Sequence, residues 1–158
     1  MKAGRKTWSE KLADAKNLPR VIKLTGAARK RWGGTTMVIA APAEVDALMK
    51  RVPKGRVTTI NSLRRQLARQ HGTETTCPIT TGIFAWIAAN AAEESTAAGA
   101  KRPTPWWRTL KADGQLNEKY PGGIAEQRKR LAAEGHAFTQ RGARVRVANL
   151  DAALFPHA

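Results

Sequence analysis

The sequence has one cysteine, Cys77, among 158 residues, so it can build neither an intrachain disulfide framework nor a cysteine-based zinc site. Its three histidines, His71, His136 and His157, are scattered along the chain, which argues against a histidine-only metal site, and no metal or cofactor is expected. No apolar run approaches the ~18 residues needed to cross a bilayer, and the N-terminus lacks the apolar stretch of a signal peptide. The expectation is therefore a soluble cytoplasmic protein, nucleoid-associated if bacterial, with no membrane partner. Acidic residues are scarce too. Twelve Asp and Glu stand against twenty-eight Lys and Arg, leaving a net charge of +16. A field of that size attracts polyanions, and nucleic acid is the first partner to test.

The positive charge is not confined to one tail. Residues 1–35 carry ten basic and two acidic side chains, and residues 36–158 carry eighteen and ten, so each part contributes +8. A hydrophobic content of 42% fits one folded domain with a modest core. We divide the chain into a basic N-terminal arm, 1–35, and a domain, 36–158. Trp8 and Trp32 are costly to leave in water, so part of the arm is expected to pack back onto the domain.

Along the domain, Met37 to Ala40 reads as a strand, followed by a helix with Pro42 in its first turn and Val45, Leu48 and Met49 on one face. In "INSLRRQLARQHG", Ile60, Leu63 and Leu67 share a face, Arg64, Arg65 and Arg69 occupy the others, and Gly72 ends the helix. A second helix starts at Pro78, with Ile79, Ile83, Phe84 and Ile87 at helical spacing and no charge between Thr75 and Ala92. "STAAGAKRP" reads as a loop. The Asp113-Gly114 pair predicts a tight turn, and with it a small hairpin or wing over Thr109 to Asn117. A helix ending at Gly135 follows, and the alternation of Arg144 and Arg146 with Val145 and Val147 predicts a terminal hairpin. Two helices joined by a turn and followed by a hairpin make a winged helix-turn-helix, so the expected fold is mainly α with small β elements.

The stretch "TPWWRT" sets Trp106 and Trp107 side by side between Pro105 and Arg108. Together with "VPKGRVTTINSLRRQLA", "TGIFAW", "LKADGQLNEKYPGG" and "QRKRLAAEGHAF", it resembles, over roughly Val45 to Phe138, the DNA-binding domain of the alkylguanine-DNA alkyltransferases. Proteins of that family flip an alkylated guanine into a pocket and move the alkyl group to the cysteine of a Pro-Cys-His-Arg motif. The motif falls on Pro105, Trp106, Trp107 and Arg108, so indoles stand where the acceptor cysteine and its activating histidine would be. An indole offers neither a sulfur nucleophile nor a titratable base. The resemblance thus points to the alkyltransferase-like branch, whose members have tryptophan at the acceptor position, bind alkylated DNA without repairing it and pass the lesion to nucleotide excision repair. Trp107 goes beyond that branch, which usually keeps the histidine. Cys77, before the helix-starting Pro78, is the alternative acceptor.

By the same resemblance, Trp106, Trp107, Arg108, Tyr120, Gly122 and Gly123 would form the base pocket. Glu134 matches a glutamate that orients the histidine, a role lost when the histidine is absent. The tyrosine that presses on the phosphate beside the lesion falls on Ile60, and the intercalating arginine falls near Ala85 or Trp86. The second helix of the motif would enter the minor groove through Thr80, Thr81, Gly82 and Ala85, with Trp86 as a candidate wedge or core residue. Arg64, Arg65 and Arg69 would hold phosphates. For the tryptophan pair two readings stand: the rings fill a dead pocket, or one lines a cavity and stacks on a base, with Trp106 as the wall and Trp107 as the filler. The expected partner is duplex DNA, alkylated or not, bound by a monomer. The alternative is a lesion-independent DNA- or RNA-binding architectural module with a closed vestigial pocket.

Overall fold

The computed structural model describes residues 5–157, so the first four residues of the arm lie outside it. The chain begins with α1 (Trp8–Ala13), where the Thr7 hydroxyl accepts a hydrogen bond from the Glu10 amide at 3.1 Å. Strand β1 (Arg20–Lys23), helix α2 (Gly26–Trp32) and strand β2 (Thr36–Ile39) follow, and β1 pairs antiparallel with β2, Arg20 opposite Ile39. The boundary drawn at residue 35 thus falls at the end of the α2-containing connection between these paired strands.

Helix α3 (Pro42–Lys50) starts on a proline, whose missing N–H costs nothing in the first turn. The Glu44 carboxylate accepts the Ala41 amide at 2.8 Å, and Val45, Leu48 and Met49 are buried as their spacing predicts. Strand β3 (Thr58–Thr59) leads into α4 (Ile60–His71), whose first turn is capped by the Thr59 hydroxyl accepting the Ser62 amide at 3.1 Å. Gly72, at φ 66° and ψ 29°, ends α4 in the left-handed conformation that glycine adopts without strain. The linker to the next helix carries β4 (Thr75–Thr76), which pairs parallel with β2 and makes the third strand of that sheet.

Helix α5 (Pro78–Ala97) is the centre of the molecule and packs against α1, α3 and α4. Its inward face carries Ala85, Ala88, Ala89, Ala91 and Ala92, all buried, and such small side chains let three helices approach one axis. It runs through Ser95–Ala97, where a loop was expected, because the Thr96 hydroxyl bonds to the Ala92 carbonyl at 2.8 Å and the turn to positive φ comes only at Gly99.

After a 3₁₀ turn at Trp106–Arg108, β5 (Thr109–Leu110) pairs parallel with β3. The turn expected at Asp113-Gly114 forms, with the Lys111 amide bonded to the Gln115 carbonyl at 2.9 Å. The strand leading into it is not half of a solvent-facing wing, however: Thr109 and Leu110 are fully buried, and the core draws them onto β3. Helix α6 (Gly123–Ala133), the hairpin β6 (Phe138–Arg141) and β7 (Arg144–Val147), and α7 (Leu150–Ala153) complete the chain. Val145 and Val147 point inward and Arg144 outward, as the alternation requires.

The fold is mainly α with small β elements, with α4 and α5 in helix-turn-helix order and a C-terminal hairpin. One core cluster surrounds α5 and includes Trp106 and Tyr120. A second gathers Val57, Leu110, Leu116, Leu131, Val145 and Val147, and Trp107 packs against both. The C-terminal segment closes over β3: the Val57 amide bonds to the Ala153 carbonyl (2.9 Å), the Phe155 amide to the Val57 carbonyl (2.8 Å), and Thr58 Oγ1 lies 2.9 Å from His157 Nε2.

Candidate nucleic-acid interface

The loop that carries the tryptophan pair is anchored before and after it. Ahead of the pair, the buried Thr104 hydroxyl donates to Asp46 Oδ1 of α3 at 2.6 Å. Behind it, β5 is fixed to β3. From α6, the fully buried Gln127 donates from Nε2 to the carbonyls of Trp107 (3.1 Å) and Thr109 (3.3 Å), while its Oε1 accepts the Asn117 amide at 2.7 Å. One side chain therefore ties the tryptophan loop to the 111–119 segment.

Trp106 is 0% exposed. Its ring meets Trp107 and Tyr120 edge to face, at 5.8 and 5.5 Å between centroids, and its Nε1 donates to Glu93 Oε1 at 2.9 Å. The Arg130 guanidinium lies 5.0 Å from the Trp106 ring and 4.8 Å from the Trp107 ring, held by Glu93 at 3.1 Å. The assignment of Trp106 as pocket wall and Trp107 as filler is therefore corrected. Trp106 is the filler, because its indole is fully enclosed by protein, and the half-buried Trp107 sits nearer the surface. Tyr120 is likewise buried behind Trp106, and burial pushes its hydroxyl above the usual range.

The Arg108 guanidinium is spent on protein partners. It forms a bidentate pair with Glu134, at 2.9 Å from Nε and 2.7 Å from Nη2, and donates from Nη1 to the Val52 carbonyl at 2.8 Å. Glu134 Oε2 also accepts Trp107 Nε1 at 3.1 Å. Burial raises the Glu134 carboxyl, but the hydrogen bonds from Arg108 and Trp107 outweigh it and leave the group below the ordinary carboxylate range. With no histidine to orient, Glu134 holds the Trp107 indole instead. Gly122, at φ 79°, precedes the first residue of α6, and a Cβ there would come within 2.5 Å of the Glu126 Cβ. Gly123, at φ 69°, starts that helix.

On α5 the structure divides the residues expected at DNA. Thr81 is 1% and Ala85 0% exposed, so both belong to the core. The Thr81 hydroxyl is spent on the Cys77 carbonyl at 2.7 Å. Thr80 and Gly82 are half-buried, and a side chain added at Gly82 would meet nothing within 4 Å. Trp86 is not core: it is 37% exposed, in line with Ile79 (55%) and Ile83 (45%), although the isoleucines share a helical spacing with the buried Phe84 and Ile87. These three side chains face the segment Asn117–Lys119 across an open cleft of about 570 Å³ that also touches Lys111. Trp86 is fixed there, its Nε1 donating to the Lys119 carbonyl at 3.1 Å and its ring meeting Trp8 edge to face at 4.8 Å.

On α4, Arg65 and Arg69 are exposed. Arg64 is turned inward instead. Its Nε donates to the Thr76 carbonyl at 2.9 Å and its other nitrogens to Asn61 and Thr75, so it braces the linker to α5. Ile60 packs partly against the core. Cys77 is half-buried ahead of α5, and among the described residues no hydrogen bond reaches its sulfur.

Sequence reading missed Glu93, Gln127 and Arg130. For Gln127 a signal was present, because it sits at i+3 from Ile124 and i−4 from Leu131, on the buried face of α6. Glu93 and Arg130 carry no such mark, as each looks like a solvated charge.

No protein-family model matches the sequence, and no curated protein does. Among solved structures, the chain matches Atl1 of S. pombe in complex with damaged DNA containing O6-carboxymethylguanine, at 19% identity and a TM-score of 0.49, over 72% of this chain and 93% of that one. It also matches an S. pombe ATL in complex with DNA, over the same shares, at 19% identity and a TM-score of 0.45.

Proposed function

We propose that this protein is a non-enzymatic duplex DNA-binding protein that lays α5 against the minor groove. The observation that carries this reading is the exposed side of α5. It bears no charge from Pro78 to Ala92, yet it belongs to a chain of net charge +16 and follows a helix with Arg65 and Arg69 exposed. A neutral face bordered by cations suits approach to base edges, with the phosphates held at the sides. Alkyl transfer at the Pro105–Arg108 motif is outside its chemistry, because the positions that would supply thiol and imidazole hold a buried indole and a half-buried one, which leaves Cys77 as the one thiol to test.

Preference for alkylated guanine, with delivery of the lesion to excision repair, is the finer reading and rests on the five sequence segments around the tryptophan pair. A second reading, lesion-independent binding, is favoured by one observation: Trp106 leaves no surface on which an extruded base could stack. Binding of methylguanine-containing, undamaged and single-stranded probes across a salt series separates the two. Tighter binding of the methylguanine duplex at every salt concentration supports lesion recognition. Equal binding of damaged and undamaged duplexes supports the second reading, and a failure to prefer duplex over single strand overturns the proposal. Mass spectrometry on the same samples is expected to find Cys77 unmodified.

A further inference from the structure

Between Asp14 and Glu44 the chain carries no acid, yet it holds six cations, of which Lys16 lies 3.7 Å from Asp14. The other five, Arg20, Lys23, Arg29, Lys30 and Arg31, are exposed, and among the described residues none of them pairs with a carboxylate. Arg20 and Lys23 have a task that needs no ligand: they stand on β1, an edge of the three-stranded sheet, where charge keeps a second chain from pairing. Helix α2 guards no edge. None of its seven residues is buried, and a helix so short does not form unaided in water. It is held by its ends instead. The Leu24 amide bonds to the Thr35 carbonyl at 2.8 Å, and the Glu74 carboxylate accepts the Thr35 amide at 2.6 Å and the Thr35 hydroxyl at 3.1 Å. The Glu74 amide in turn bonds to Thr36 Oγ1 at 3.0 Å. Gly34 permits this grip, because at its φ of 95° a Cβ would come within 2.5 Å of the Glu74 carboxylate.

We propose that Arg29, Lys30 and Arg31 form a phosphate clamp, which holds the DNA backbone beside the helix-turn-helix and lengthens the contact made by α4 and α5. This rests on the reading that duplex DNA is the partner. Position favours it, because Glu74 lies in the turn between α4 and α5 and lines a polar cleft of about 270 Å³ together with Arg65. The end of α2 is thus moored where the exposed cations of α4 begin. Four residues separate Arg31 from Thr35, so their Cα atoms lie within ~14 Å of each other. A duplex carries one charge per ~1.7 Å of its axis, so cations at that reach meet phosphates beyond those of Arg65 and Arg69. The Arg31 guanidinium is already stacked on the Trp32 ring, 4.6 Å from its centroid, which lowers the cost of ordering it on a phosphate. Phosphates are alike along the duplex, so the clamp adds affinity and salt dependence without sequence preference. Helix α2 precedes the Val45 to Phe138 stretch that resembles the alkyltransferases, and nothing in that resemblance implies the clamp.

The test uses the full chain and a long undamaged duplex, titrated from ~50 to ~200 mM salt and footprinted with hydroxyl radicals. Arg29→Gln, Lys30→Gln and Arg31→Gln combined should lower the slope of log Kd against log salt by about 2.7, at about 0.9 per phosphate, so that the affinity lost over that range shrinks about 40-fold. Arg31→Gln alone should lower the slope by about 0.9. The triple variant should lose protected sugars at one edge of the wild-type footprint and keep those at its centre, which a drop in net charge by itself would not do. Arg29→Lys with Arg31→Lys should keep both the slope and the footprint. Circular dichroism of every variant should match wild type, since no residue of α2 is buried. An unaltered slope and footprint in the triple variant overturn the clamp while leaving duplex binding intact, and are the result expected if α2 serves an acidic protein. A footprint weakened evenly along its length overturns the clamp too. A wild-type chain that binds no duplex overturns the functional proposal as well.

Discussion

Replacing Trp106 by alanine separates a core filler from a pocket wall. The ring is fully buried, and truncating a tryptophan in that setting costs about 3–5 kcal/mol in lost transfer and residual cavity. The edge contacts with Trp107 and Tyr120 each add about 0.5–1.5 kcal/mol beyond area. Loss of the indole hydrogen bond adds little, because Glu93 keeps its ion pair with Arg130. A loss near 5 kcal/mol is expected, a large share of the ~5–15 kcal/mol that a domain possesses. Trp107→Ala, at a half-buried position, should cost about 2 kcal/mol. Urea unfolding at neutral pH, with a slope of about 2 kcal/mol per molar, would show these as midpoint shifts of roughly 2.5 M and 1 M. If Trp106→Ala does not fold, Trp106→Phe should still lie below wild type by more than Trp107→Ala does. A Trp106→Ala loss under about 1.5 kcal/mol, no greater than that of Trp107→Ala, would refute the closed-site reading, since a ring lining open space has little packing to lose.

His157 is held neutral in the folded state. Burial first, then the fields of Arg51 and Arg69, lower it to about 4 from 6.5. The unfolded chain takes up the proton as pH falls below about 6.5, and the folded chain does not until about 4, so stability is full above that window and is lost through it. Urea midpoints at pH 7 and pH 5 should differ by more for wild type than for His157→Gln, and an equal difference would contradict the assignment. Arg65→Gln and Arg69→Gln should each reduce the salt slope of duplex binding by about one, measured by fluorescence titration, whereas Arg64→Gln should act on stability by loosening the linker it braces.

The helices were legible wherever a local signal fixed them: Pro42 and Pro78 at starts, Gly72 and Gly135 at ends, and the Val145/Val147 alternation for the hairpin. Burial around α5 was not, because its sequence is apolar on every side. Periodicity cannot choose which of Ile79, Ile83, Phe84 and Ile87 turn inward, and α1, α3 and α4 settle it by covering one side. The parallel pairs β2–β4 and β3–β5 join short threonine-containing segments far apart in the chain, and no local pattern announces such partners. At the candidate site the sequence supplied the indoles and Arg108, but the closing of the pocket depends on Glu93, Gln127 and Arg130, whose roles arise only when α5 and α6 meet the tryptophan loop.

The backbone bonds of Val57 to Ala153 and Phe155, with His157 on Thr58, make the C-terminal segment a structural tie. Thr58 in turn pairs with Thr109, so pulling on the segment bears on the strand that leaves the tryptophan loop. A change that displaced residues 153–157 from β3 would therefore be felt at the tryptophan loop, through a strand that none of those residues touches in sequence.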